Sequence, residues 1–153
     1  MAKAYKPLPH ASELWELFDY KPLTGELVRK SDPNQAGTRN RDGYIRVMAV
    51  GSIFMAHRLV WCWVWGVDPV SRIDHKDNNP SNNRHWNLRK ATHAQNMRNR
   101  KATRGYSRHG NGWRMCITVD GIRHREFFYT EEEAGAAYAE AAKRLHGEFA
   151  CVD

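Results

Sequence analysis

Residues 73–99 read IDHKDNNPSNNRHWNLRKATHAQNMRN. The stretch holds seven asparagines (Asn78, Asn79, Asn82, Asn83, Asn87, Asn96 and Asn99), three histidines and two carboxylates, Asp74 and Asp77. Both carboxylates stand at its start, so everything after Asp77 is neutral or basic. VSRIDH reads as a short strand, residues 77–85 as an asparagine-rich loop and HWNLRKA as a second strand. THAQNMRNRK begins a helix, with Thr92 as N-cap and Gln95 at capping-box spacing. Asx turns account for Asn78 to Asn83, because an Asn side chain bonds its own backbone two residues on. A fold unit of strand, loop, strand and helix is thus compressed into about 30 residues.

Outward from this segment, the charge is lopsided. The 153-residue chain carries a net charge of +7 and has a pI near 9.5, which favours a polyanionic partner. No acidic residue lies between Asp77 and Asp120, an interval that contains Arg84, Arg89, Lys90, Arg98, Arg100, Lys101, Arg104, Arg108 and Arg114. A solvated face mixes both signs, whereas a nucleic-acid surface excludes carboxylates because they repel phosphate. Hydrophobic content of 41% argues against wholesale disorder, and the length permits one ordinary domain or two small ones. Cys62, Cys116 and Cys151 form no CxxC pair, so neither a disulfide framework nor a zinc ribbon is expected. The start of the chain lacks an apolar signal region, and Leu59 to Val67 is far short of the roughly 20 residues that span a bilayer. These features predict a cytoplasmic protein with no membrane association.

SELWELFDY (12–20) reads as a helix capped by Ser12, with Leu14, Trp15, Leu17 and Phe18 turned inward. TGELVRK and GYIRVMAV have strand character and flank a polar loop, SDPNQAGTRNRD. SIFMAHRLVWCWVWG starts as a strand and continues as a helix ending at Gly66, with Trp61, Trp63 and Trp65 in the core. After a linker around KATRG, GWRMCITVDGIRHREFFY reads as a hairpin turning at Asp120-Gly121. Thr130 and Glu133 box the start of a helix whose Ala134, Ala137, Tyr138, Ala141, Ala142 and Leu145 form one apolar stripe, and Gly147 supplies the stop.

Phosphodiester hydrolysis needs a positioned water, a base for its proton and a cation for the charge on phosphate. Asp74 and His75 are adjacent at a strand end, so one can hold a metal while the other faces the water. Histidine suits the base, being largely neutral at cellular pH, but a partner must hold its tautomer. Asn87 is a candidate for that partner, through its side chain or its carbonyl. A second metal ligand must come from the helix, where His93 and Asn96 share a face.

Asp74-His75, Asn87 and Asn96 resemble the motif of the HNH endonucleases with a ββα-metal fold, in the variant whose final histidine is asparagine. The pattern ELWELFDYKPLTGEL…GYIRV…AHRLVW is similar to the region that precedes this motif in phage HNH proteins, so the resemblance covers roughly residues 12–100. It implies that Asp74 and Asn96 bind one divalent cation, magnesium or manganese, which suit oxygen ligands. It also implies that His75 is the general base and that Asn87 orients it. His93 departs from the simplest pattern by offering an imidazole beside Asn96. His57-Arg58 recurs in the pattern, with a structural or phosphate-contacting role expected.

GYSRHGNGWRMCITVDG…FFYTEEEAGAAYAEAAKRLHGEFA resembles an AP2-type DNA-binding domain, three strands packed on one helix. This implies a sheet face that enters the major groove. Arg108, Arg114, Arg123 and Arg125 are then the candidate contacts, with Trp113 lining the surface or the core. Glu126 stands where the family has glycine, which puts the register of the third strand in question.

The expectation is an α+β protein in two parts: an HNH endonuclease domain over 1–101, with its core at about 71–101, and an AP2-like domain over 102–153. Its activity would be metal-dependent cleavage of double-stranded DNA by a phage-encoded enzyme, monomeric in solution. Arg84, Arg89, Lys90, Arg98, Arg100, Lys101 and Arg104 would join the AP2-type arginines on the DNA. The rivals are a non-catalytic DNA-binding regulator on an HNH scaffold, and an RNA-directed protein.

Overall fold

The structure, a computed structural model, describes residues 6–98 and 104–150, apart from the side chains of Gln35 and Arg98. The chain divides into two units, Met1–Thr92 and His93–Asp153. The boundary expected at 101/102 lies outside the described residues, as do Arg100 and Lys101.

The first unit begins with α1 (Ala11–Leu17), which leads into β1 (Phe18–Lys21), β2 (Glu26–Arg29) and β3 (Asp32–Gln35). The helix starts one residue before Ser12, the expected cap. His10 caps it, with Nδ1 accepting from the Ser12 amide at 3.4 Å, while Glu13 Oε2 accepts from the His10 amide at 2.8 Å. The reason lies three residues on. Counted from His10 the third helical position is Glu13, whose carboxylate can reach back; counted from Ser12 it is Trp15, which cannot. The helix also ends at Leu17, because Phe18 and Tyr20 bury alternate positions of β1. Trp15, expected inward, is 47% exposed and donates through Nε1 to the Trp63 carbonyl at 2.8 Å.

The loop expected at 31–42 contains β3 and β4 (Thr38–Arg39). β3 is an edge strand, so Pro33 can occupy it without breaking a ladder. β4 starts a second antiparallel sheet with β5 (Ile45–Ala49) and β6 (Ser52–Met55). α2 (Ala56–Trp65) follows and stops at Gly66, whose φ of 72° is the left-handed conformation glycine adopts without a Cβ clash. Leu14, Phe18, Val47, Leu59 and Val60 are fully buried at the centre of this core. Trp61 and Trp63 pack against it, but Trp65 is 41% exposed and stacks on Trp61 at 4.0 Å. β7 (Arg72–His75) and β8 (Leu88–Ala91) form a two-stranded antiparallel ribbon. HWN, expected in the second strand, is a 3₁₀ turn, His85–Asn87.

The second unit comprises α3 (His93–Arg98), the sheet of β9 (Tyr106–His109), β10 (Gly112–Val119) and β11 (Ile122–Phe128), and α4 (Glu131–His146). β10 is central in the sheet. Asp120 and Gly121, with φ of 50° and 83°, make the two-residue turn. Thr130 and Glu133 form the capping box of α4. Met115 and Ile117 bury against Ala141 and Ala142, with Tyr106, Phe128, Tyr138 and Leu145 around them. The whole is a mixed α+β architecture with small antiparallel sheets. No helix among the described residues is long and apolar enough to cross a membrane.

Candidate active site

β7 delivers Asp74 and His75 as neighbours, 6% and 5% exposed. Asp74 pairs in register with Arg89 on β8. The guanidinium donates from Nε to Asp74 Oδ2 at 2.9 Å, and its Nη2 lies 2.8 Å from the same oxygen. Both side chains are buried. Arg89, expected on the DNA, is therefore turned into the first unit. Cross-strand neighbours share a face, so a carboxylate at 74 draws the cation at 89.

His75 Nε2 lies 3.1 Å from Asn83 Oδ1, and Asn83 is 3% exposed. The ring also meets His57 edge-on at 5.2 Å and Tyr44 at 5.9 Å. Asn87, expected as the partner of His75, spends its side chain elsewhere. Its Nδ2 donates to Asp77 Oδ1 and to the Asn82 carbonyl, both at 2.9 Å, and its Oδ1 accepts from the Asp77 amide at 3.2 Å. Its carbonyl accepts from the Lys76 amide at 2.9 Å, closing the loop beside His75. Of the Asx turns expected over Asn78 to Asn83, those at Asn79 and Asn82 are present, their side chains accepting from amides two residues on, and Asp77 makes a further one. Asn83 departs from that pattern. Burial pushes the Asp77 carboxyl up, but bonds from the Asn79 amide, Asn82 and Asn87 outweigh it, and the net shift is downward.

Burial holds the His75 imidazole below its ordinary pKa, against the opposing pull of Asn83, Asp77 and Asp74. His57 is pushed down to about 3, by burial first and then by the positive charge of His75 and Arg58. A lowered histidine pKa means that the unfolded chain binds a proton the folded chain refuses. Stability is therefore full above the unfolded value of 6.5 and falls as pH drops from there towards 3. His57→Gln is expected to flatten the dependence of the melting temperature on pH across that window. An unchanged slope would show that His57 does not drive it.

Of the remaining expected site residues, Asn96 and His93 sit on α3, in the second unit. Arg84 donates to the Leu23 carbonyl at 2.6 Å and to Asn82 Oδ1 at 3.0 Å. Lys90 is exposed, its ammonium 5.5 Å from the Trp61 ring centre. The side chain of Arg98 lies outside the described residues. Exposed Arg104 pairs with Glu131 at 3.0 Å. In the sheet of the second unit, Arg114 pairs with Phe127, Cys116 with Arg125 and Thr118 with Arg123. Strand alternation then puts Arg114, Arg123 and Arg125 on the face opposite Met115 and Ile117. Arg108 pairs with Trp113, which shares the face of Met115, so both register on the α4 side. Glu126 lies opposite Met115, settling the strand register that its presence had put in question.

Asn83 and Tyr44 face His75, Tyr20 holds the loop that carries Asn83, and none of the three stands out in the sequence. Tyr20 lies on β1; its hydroxyl donates to the Asn83 carbonyl at 3.1 Å and accepts from the His85 amide at 2.8 Å. No local signal separates Asn83 from the asparagines around it. A tyrosine more than 60 positions upstream carries no sequence sign of its contact.

Residues 54–98 match the family of HNH endonucleases. A relative from Acanthamoeba polyphaga mimivirus, described as the uncharacterized HNH endonuclease L560, is 38% identical over 85 residues. That alignment takes in 51% of this chain and 44% of the relative, so the chain spans less than half of the relative's length. Among solved structures, one described as DNA binding and cleavage by the HNH homing endonuclease I-HmuI is similar, with a TM-score of 0.44 and 23% identity over 84% of each chain. The stretch that matches HNH endonucleases runs from within β6 to α3, and the buried Asp74–His75 pair lies inside it.

Proposed function

We propose that the protein is a metal-dependent DNA endonuclease that hydrolyses phosphodiester bonds in duplex DNA, nicking or cutting both strands. The observation that carries this reading is His75. It is a buried imidazole kept neutral by its surroundings, beside a carboxylate, inside the HNH match. A neutral histidine can take a proton from an attacking water at neutral pH. Asn87 keeps the loop between β7 and β8 closed around it.

Asp74 and Asn96 would hold the cation, with His93 as an alternative to Asn96. The donor chemistry fits magnesium or manganese. A carboxylate and an amide are hard oxygen ligands, and magnesium completes its shell with water and phosphate. Among the described residues no group of three or more His, Cys, Asp or Glu gathers as a zinc cage would require. When bound, the cation would neutralise the charge developing on the phosphate and the leaving oxygen.

The second unit is read as an AP2-like module whose open sheet face lies on duplex DNA, with the protein acting as a monomer in the cytoplasm. Arg114, Arg123 and Arg125 share that face. Replacing all three with alanine should weaken binding and flatten its salt dependence by about 2–3 units of log K per log salt, near 0.9 for each phosphate no longer neutralised. An unchanged slope would remove this face from the DNA. The nuclease itself is tested with supercoiled plasmid, incubated with magnesium and with EDTA. Metal-dependent conversion to open-circular or linear DNA supports the reading; binding without conversion turns it into that of a regulator.

A further inference from the structure

We propose that Asn83 is the positioning residue of His75, and that the first β-hairpin holds Asn83 in place. The consequence for rate rests on the nuclease reading; the geometry does not. Asn83 Oδ1, 3.1 Å from His75 Nε2, is an acceptor, so Nε2 carries the hydrogen and the ring lone pair falls on Nδ1. The contact is buried, so bulk water does not compete for it.

Three contacts from the hairpin of β1 and β2 fix the backbone that carries this amide. The Tyr20 hydroxyl bridges the Asn83 carbonyl and the His85 amide, spanning the residue between them. Arg84 Nε donates to the Leu23 carbonyl in the hairpin turn at 2.6 Å. At the end of that turn, Gly25 has a φ of 81° and lies flat against the loop. A Cβ there would meet the Arg84 nitrogen at 2.5 Å and the Asn83 carbonyl carbon at 2.6 Å. An element from the start of the chain therefore sets the orientation of a histidine more than 50 residues away.

The test is nitrogen NMR of the histidine rings in the metal-free protein, with His75 identified by the signal missing from His75→Gln. The wild type should show one tautomer, with Nε2 protonated. Asn83→Ala should give a mixture of tautomers, and Tyr20→Phe a smaller shift in the same direction. In plasmid cleavage, Asn83→Ala should lose about 10–100-fold in kcat with KM unchanged, the usual effect of removing a residue that orients an imidazole. A wild type with Nδ1 protonated, or variants that leave the tautomer alone, would overturn the proposal. Should Asn83→Ala fail to fold, the spectra of the wild type and Tyr20→Phe decide it. A wild type that shows the Nε2–H tautomer but cuts no DNA would sink the nuclease reading and leave the positioning role standing.

Discussion

His75→Ala is expected to lower plasmid cleavage by about 10²–10⁴-fold, the range that a positioned general base contributes. Binding to the same DNA should hold, because the imidazole is buried and the expected phosphate contacts are elsewhere. The separation of the two effects is informative. A residue that only packs the core would reduce both together, through loss of folded protein. A base lowers the chemical step alone, so kcat and kcat/KM fall equally. Gel shift with the variant, beside plasmid cleavage in magnesium, measures both. Cleavage at the wild-type rate would remove His75 as the base, and the neighbouring His57 could not take its place. With its pKa near 3, His57 is neutral too, but it is far too weak a base to hold a proton taken from water at neutral pH.

Arg89→Ala carries the largest expected effect on stability. The guanidinium sets Nε and Nη2 against Asp74 Oδ2 in a buried pair. Taking it away leaves a carboxylate inside the protein without its counter-charge, at a cost of about 3–5 kcal/mol. Urea unfolding reads this as a lower midpoint. Replacing both Asp74 and Arg89 with leucine should recover most of the loss, since an apolar pair carries no desolvation penalty. For the folded fraction of Arg89→Ala, the salt dependence of DNA binding should match the wild type. A variant with an unchanged midpoint and a salt slope reduced by about 0.9 would make Arg89 a phosphate ligand instead. The pair also bears on the metal. Arg89 holds the one carboxylate proposed as a ligand, so its removal should weaken metal affinity as well as the fold.

The two arginine classes were not separable from charge alone. In the run without carboxylates from Asn78 to Val119, Arg89 and Arg114 look alike. Pairing separates them. β8 places Arg89 across from Asp74, while β10 turns Arg114 to the face away from the helix. The caps show the opposite case, in which local chemistry is decisive. Thr130 with Glu133 reads directly as a helix start, and the structure forms that box. His10 with Glu13 closes a similar box, its ring accepting from the Ser12 amide, but histidine is not among the residues favoured at an N-cap, so composition points to Ser12 instead.

The sequence by itself determined most of the elements and the segment that holds the candidate site. Helix stops at Gly66 and Gly147, the Asp120-Gly121 turn, the apolar stripe of α4 and the Asp74-His75 strand end are all interactions within a few residues, and such interactions are written in order along the chain. Only the tertiary structure decided which asparagine faces His75, which arginine is buried and what holds the loop. Several asparagines in one short loop offer the same amide, and their roles are assigned by where the backbone carries each one. That path is set by Tyr20, Leu23 and Gly25, packed on the loop from the first hairpin. A contact across some 60 residues leaves no periodicity or spacing in the sequence, because the chain between its ends is free to take any course until it folds.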